Sequence, residues 1–350
     1  MESGITMSLT NSASPKHFFN AFRAALYDCD ASKLQAQLGE LFAPDSKIHL
    51  AHPLGSMTGP DELFAVGYGP LLEAIPDLER RDFIVVGDGG KAGWIGCGGY
   101  YTGVFERPWL KIPATRHIVT MHYVEYFRVE DDRIVEMYAL WDIPEVLMQA
   151  RAWPMSPSLG REMKWPGPAT HDGIVVGDYD EGRSTASLDL VNAMLLGLGK
   201  HAAEGAEAMG LENYWHPRMN WYGPSGIGSN RRISGFRNWH QIPFLDAMPD
   251  RMGRLAEGGQ VAYFADGDYV AYCGWPGLDA TVSGDGWLGI AASGQEITLC
   301  SLDFWRCENG RIRENWVMVD ILDVYHQLGV DVLARMEALT VDRQLNPPGL

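Results

Sequence analysis

Acidic side chains recur at matched positions in two halves of this chain. Glu125, Glu136 and Asp142 are each followed, 178 residues on, by Asp303, Glu314 and Asp320. Carboxylates held in apolar surroundings have raised pKa values and can act as general acid or base near neutral pH. His122 breaks the pattern, because Cys300 stands at its partner position. An imidazole is the side chain best suited to take a proton at neutral pH. Catalytic candidates are therefore His122, Asp142, Asp320, Glu136 and, on a helical stretch of the second half, His240. Each has an alternative. Asp142 precedes Pro144 and Glu145, and Asp320 precedes Asp323, so both fit helix N-caps. Glu136, Glu314, Glu125 and Asp303 fit ion pairs with Arg128, Arg133, Arg306 or Arg311 on strand faces. His122 fits a satisfied core histidine. His240, with Trp239, either roofs a cavity or belongs to an aromatic core face.

Strands and helices must place these groups. Arg133-Ile134-Val135-Glu136 and Arg311-Ile312-Arg313-Glu314 open two copies of one pattern, and each copy carries the same programme. Helices come first. Strand-like runs follow at 83–86, 94–101, 118–129 and 133–140, then at 260–264, 269–275, 297–306 and 311–318. Helices grouped ahead of an antiparallel meander make each repeat α+β. The expected domains span 14–150 and 184–340, joined by a Pro- and Gly-rich linker at 151–183. Alternation puts Glu136 with Ile134 and Tyr138, opposite Met137, Ala139 and Trp141. It puts Glu314 with Trp316 and Met318, opposite Asn315. The pattern leaves open which face lines a cavity.

The chain has 350 residues, is 46% hydrophobic and has a formal net charge of −17. Such an acidic surface repels phosphate backbones, so no nucleic-acid partner is expected. Five widely spaced cysteines support neither a disulfide framework nor a cysteine zinc site. With no signal-like or membrane-spanning run, a cytoplasmic location is expected. His49, His52, His117 and His122 show no helical metal-binding spacing, and no metal is expected. Gly87–Gly90 and Gly223–Gly228 lack a strand–GxGxxG–helix context, and no GxSxG elbow occurs. No cofactor is expected. Twelve Trp, 14 Tyr and 12 Phe supply walls for a flat apolar ligand. The substrate-facing candidates are Trp221, Tyr222, Trp275, Asn315 and Trp316 in the second repeat. Tyr100, Tyr101 and His52 are those of the first.

The segments Trp215-His216-Pro217-Arg218-Met219-Asn220-Trp221-Tyr222-Gly223-Pro224, Pro243-Phe244-Leu245-Asp246-Ala247-Met248-Pro249-Asp250 and Gly310-Arg311-Ile312-Arg313-Glu314-Asn315-Trp316 resemble the SnoaL-like polyketide cyclases of the NTF2-like superfamily. Tyr325-His326-Gln327-Leu328-Gly329 resembles the closing helix of that family. Ile75-Pro76-Asp77 and Arg133-Ile134-Val135-Glu136 carry a looser match in the first repeat. The resemblance implies two tandem cone-shaped α+β barrels forming a covalent pseudo-dimer, which could associate further. It implies intramolecular aldol chemistry or its relatives, among them isomerases, dehydratases and non-catalytic binders. The family often has His-Trp-Asp where this chain has Asn315-Trp316-Val317 and Met137-Tyr138-Ala139, so that acid is absent from both repeats. The expected function is cofactor-independent acid/base catalysis on a hydrophobic aromatic or polyketide-like molecule, by aldol cyclisation, its reverse or dehydration. Non-catalytic binding of a small ligand is the alternative.

Overall fold

The computed structural model describes residues 15–27, 29–175, 177–198, 200, 205–254 and 260–345. In the first repeat, helices Pro15–Tyr27 and Ala31–Leu41 precede strands β1 (Phe42–Leu50), β2 (Gly55–Thr58), β3 (Glu79–Gly87), β4 (Trp94–Val104), β5 (Ile118–Glu130) and β6 (Arg133–Trp141). They form one sheet in the order β2-β1-β6-β5-β4-β3, antiparallel except for the β1–β6 pair. The second repeat opens with helix Glu181–Leu198. It continues through β7 (Trp215–Tyr222), β8 (Asn230–Arg231), β9 (Met252–Gly253), β10 (Ala262–Asp266), β11 (Tyr269–Thr281), β12 (Glu296–Glu308) and β13 (Arg311–Val319). Its order is β10-β11-β12-β13-β7-β8, with β9 on β11 and the β13–β7 pair again parallel. The α+β pseudo-dimer expected from the repeat is therefore present. Among the described residues no helix is long and apolar enough to cross a membrane.

Both faces of each sheet are covered. On β5, Phe127 turns toward Phe19 and Phe22 of the first helix. Its neighbour Tyr126 turns the other way and stacks on Phe304 of β12, with centroids 5.5 Å apart. Tyr126 also donates its hydroxyl hydrogen to the Asp303 carbonyl at 2.8 Å. Phe304 can lie this close because Gly96 and Gly98 present no side chain. A Cβ at Gly96 would come within 2.8 Å of the ring. The outer faces thus make one shared core that contains Val124, Tyr126, Tyr222, Phe304 and Trp316. The inner faces curve around their own helices.

The repeat acids at the strand–helix junctions belong to this joint. Asp142 accepts from the backbone N–H of Glu145 and, across the pseudo-dyad, from that of Ser225 at 3.0 Å. Asp320 accepts from the N–H of Asp323 and, from the other repeat, of His52 at 2.8 Å. Each is a helix cap extended into a cross-repeat latch. Burial pushes both carboxyls up to about 7. Neither opens into a cone, which corrects their assignment as catalytic groups.

Candidate active site

The two cone interiors differ. In the first, Arg80 of β3 is fully buried and donates to Glu125 at 2.6 Å and to the Tyr101 hydroxyl at 2.9 Å. Glu125 also accepts from Tyr101 and from the Trp141 indole N–H. Asp82 accepts from Arg80, Arg23 and Tyr123. Burial alone would raise the Asp82 pKa, but Arg80 and Arg23 outweigh it and hold it below the ordinary value. Every acid here has a cation, as buried charges require. Tyr101 is therefore a member of a satisfied core network, not a substrate contact.

The second cone holds a cavity of about 560 Å³. Two cross-strand rows build its sheet wall. Tyr272, Asp303 and Val317 lie side by side on β11, β12 and β13, and two positions along lie Trp305, Asn315 and Trp221. Opposite stand Phe236, His240 and Phe244 from the short helices, with Met194, Leu195 and Leu198 from helix Glu181–Leu198. The helical stretch winds into a π-turn at Arg237–Gln241, which carries His240. The His240 ring stacks on Trp221 with centroids 4.1 Å apart. Burial among these rings, helped by Arg251, lowers its pKa to about 3, so the imidazole is neutral at physiological pH. Among the described residues its Nδ1 has no partner, and neither has the indole N–H of Trp215 or Trp305. Trp239 points outward and is 52% exposed.

Asp303 is the titratable group at the heart of this wall. It is 8% exposed, and burial pushes its carboxyl up to about 7, with Asn315 opposing. The reason lies in a difference between the repeats. Counted from the shared turns Pro76-Asp77 and Pro249-Asp250, Arg80 of the first cone corresponds to Gly253 of the second, and Leu78 to Arg251. Gly253 lines the cavity, and a Cβ there would meet nothing within 4 Å. The acid shared as Glu125 and Asp303 keeps its arginine in one cone and has lost it in the other. The sequence marked Asp303 as one of the repeated acids, suited to acid/base work or to an arginine partner, and did not place it among the catalytic candidates. Arg251 was not singled out at all.

Other expected site residues lie elsewhere. His122 sits on the outer face of β5, not in a cone. Its Nδ1 lies 2.8 Å from a Glu145 oxygen, its Nε2 accepts from the Trp165 N–H at 2.8 Å, and its ring stacks on Trp165. Those two bonds fix the tautomer and leave no nitrogen for a substrate. The same commitments argue against a metal, although ligand atoms of His122, Asp142 and Glu145 lie within 4.8 Å of one another. Glu145 accepts from Thr120 and from the His122 N–H, and Asp142 serves its helix cap and the bond from Ser225. Glu136 is paired with Arg128. Glu314 is paired with Arg306. Tyr222 and Trp316 belong to the inter-sheet core, and Trp275 packs on Tyr138 across it. Tyr100 is on the outer face beneath Lys164. His52 stacks on His326 at the joint between repeats. Of the expected contacts, His240, Trp221 and Asn315 line the cavity.

A curved sheet wrapped around helices, used twice and joined through its outer faces, with a cavity in the second copy, defines a tandem pair of NTF2-like cones. The family model for SnoaL-like polyketide cyclases matches residues 202–328, and the model for SnoaL-like domains matches residues 18–137. The chain is a tandem SnoaL-like protein. Similar solved structures include IdmH from Streptomyces antibioticus, a proposed polyketide cyclase. It is 22% identical over 39% of this chain and 96% of its own, with a TM-score of 0.34. AclR from Streptomyces galilaeus, a proposed hydroxylase, is 19% identical over 41% of this chain and 85% of its own, with a TM-score of 0.34. A protein of ketosteroid isomerase-like fold from Catenulispora acidiphila is 16% identical over 38% and 92%, with a TM-score of 0.31. None of the curated proteins matches the chain.

Proposed function

We propose that the second cone is a cofactor-independent acid/base site for a flat, oxygenated aromatic or polyketide-like molecule, and that Asp303 is its base. The observation that carries this is a buried carboxyl on the wall of an aromatic cavity, with no cation paired to it among the described residues, where burial pushes its pKa up to about 7. A base poised near the working pH has the best balance of ionised fraction and basic strength. Asp303 would remove a proton from a carbon next to a carbonyl. The resulting enolate would then attack a second carbonyl for aldol closure, the new alkoxide taking the proton back from Asp303, or expel a β-hydroxyl that leaves as water with that proton. Neutral His240 and the unpaired indole N–H groups are the donors available to a developing oxyanion. The first cone acts as the structural partner.

Screening aromatic β-ketoester and polyketide compounds against the wild-type chain, Asp303→Asn and His122→Ala tests this reading. Asp303→Asn should lower kcat/KM by about 10²–10⁴-fold, while His122→Ala should leave it near wild type. For the wild type, kcat/KM should rise with pH to a plateau above about 7, as Asp303 ionises. Equal turnover by Asp303→Asn would sink the assignment.

A further inference from the structure

Among the described residues, Arg251 is a cation without a counter-charge. It follows helix Ile242–Ala247, its side chain lines the cavity, and its guanidinium lies 5.9 Å from the Phe244 ring centre. Among the described residues its side chain donates to the Leu198 carbonyl at 3.4 Å. Among the described residues no carboxylate pairs with it, in contrast to Arg80, Arg128, Arg254 and Arg306. Burial pulls its pKa down to about 10, with no acid opposing, yet it remains charged at neutral pH. Leaving a guanidinium partly desolvated and unpaired is costly, so such a group is normally matched by an anion. The acid within the same cavity does not match it. Asp303 stands on the sheet wall, and burial raises its pKa against the opposing hydrogen bond from Asn315, with no cation among the causes.

We infer that the missing anion belongs to the ligand: the cavity of the second cone takes a flat aromatic carboxylate, and Arg251 is the residue that selects the acid. The planar guanidinium matches a carboxylate in a forked pair and also tolerates an aromatic neighbour such as Phe244. With the carboxylate at Arg251, the ring system extends past the stacked His240 and Trp221 pair, alongside Trp305, toward Asp303. This deepens the proposed function and rests on it. General attraction cannot mimic such a preference, because the chain as a whole carries a formal charge of −17 and repels anions.

Titration of the full chain with 2-naphthoate and with 2-naphthamide, read by quenching of tryptophan fluorescence, tests the inference. The two probes share size and ring and differ in charge. Wild type should bind the acid at least tenfold more tightly than the amide. Arg251→Met should weaken the acid to the level of the amide and leave amide affinity unchanged. Arg251→Lys should keep part of the preference, and its retention guards against a folding defect. Equal binding of both probes by wild type, or an undiminished preference in Arg251→Met, would overturn the role of Arg251 while leaving the aromatic cavity standing. Binding of neither probe would overturn the aromatic cavity and the carboxylate assignment together.

Discussion

Replacing Asp303 by Asn should make the protein more stable at high pH and not at low pH. In the folded chain burial raises the Asp303 carboxyl to about 7, whereas in the unfolded chain it titrates near its ordinary value of 3.8. Between those values the folded state binds the extra proton, so stability falls as pH rises through that window and levels off above about 7. At pH 5 the folded carboxyl is protonated and the unfolded one is ionised. Going from pH 5 to pH 8 crosses about two pH units of that window. At about 1.36 kcal/mol per unit, Asp303 then withdraws about 3 kcal/mol of stability. Asn is close in shape and carries no such charge, so it lacks this slope. Asp142 and Asp320 are also raised to about 7, but they titrate in both proteins and cancel in the difference. Urea denaturation of wild type and Asp303→Asn at pH 5, 6.5 and 8 measures the effect. The variant's advantage should grow by about 3 kcal/mol from pH 5 to pH 8. An advantage that stays constant with pH would show that Asp303 is not held in its protonated form by burial, and the proposed base would go with it.

Two further outcomes probe the architecture. Gly253→Arg restores to the second cone the residue that the first has at Arg80. It should abolish the pH slope assigned to Asp303 in denaturation curves and exclude 2-naphthamide from the cavity in fluorescence titrations. Gly96→Val forces a side chain against the Phe304 ring, where even a Cβ would sit at 2.8 Å. It should lower stability by about 1–3 kcal/mol, read as a fall in unfolding temperature.

The fold was legible because strand alternation, turn residues and the 178-residue repeat all agree. Expected strands at 94–101, 118–129 and 311–318 fall within β4, β5 and β13. The site was harder to read for a physical reason. A sheet buried on one face alternates apolar with polar, but here both faces are buried, one in the cone and one against the other repeat. Trp316 and Tyr222 therefore look as much like cavity walls as Asn315 and Trp221, although only the second pair lines the cavity. The strand expected at 83–86 runs back to Glu79 and so includes Arg80, whose charge gave no hint of complete burial. Its counterpart is broken into β9 and β10, which hid the equivalence of Arg80 and Gly253. The sequence did signal that His122 has no histidine counterpart. That asymmetry reflects a linker contact, Trp165 on the ring, and not chemistry.

Duplication explains how one cone could become reactive without loss of the fold. An acid without a cation in an apolar cone costs stability, and in a lone cone of this size that cost falls on the only core available. Here the first repeat retains the neutralised arrangement of Arg80, Glu125 and Asp82 and presents an apolar outer face. The second repeat docks its own sheet on that face through Tyr126, Phe304 and the glycine seats, and the junction is secured by Asp142 and Asp320. The second cone can then tolerate Gly253 in place of an arginine, an open cavity and an acid raised to about 7. The cation does not vanish from the repeat. It appears two positions earlier, at Arg251 in place of buried Leu78, beside the cavity rather than on the acid. Separating the two charges turns a structural ion pair into an acid that can accept a proton and a cation that can hold a substrate.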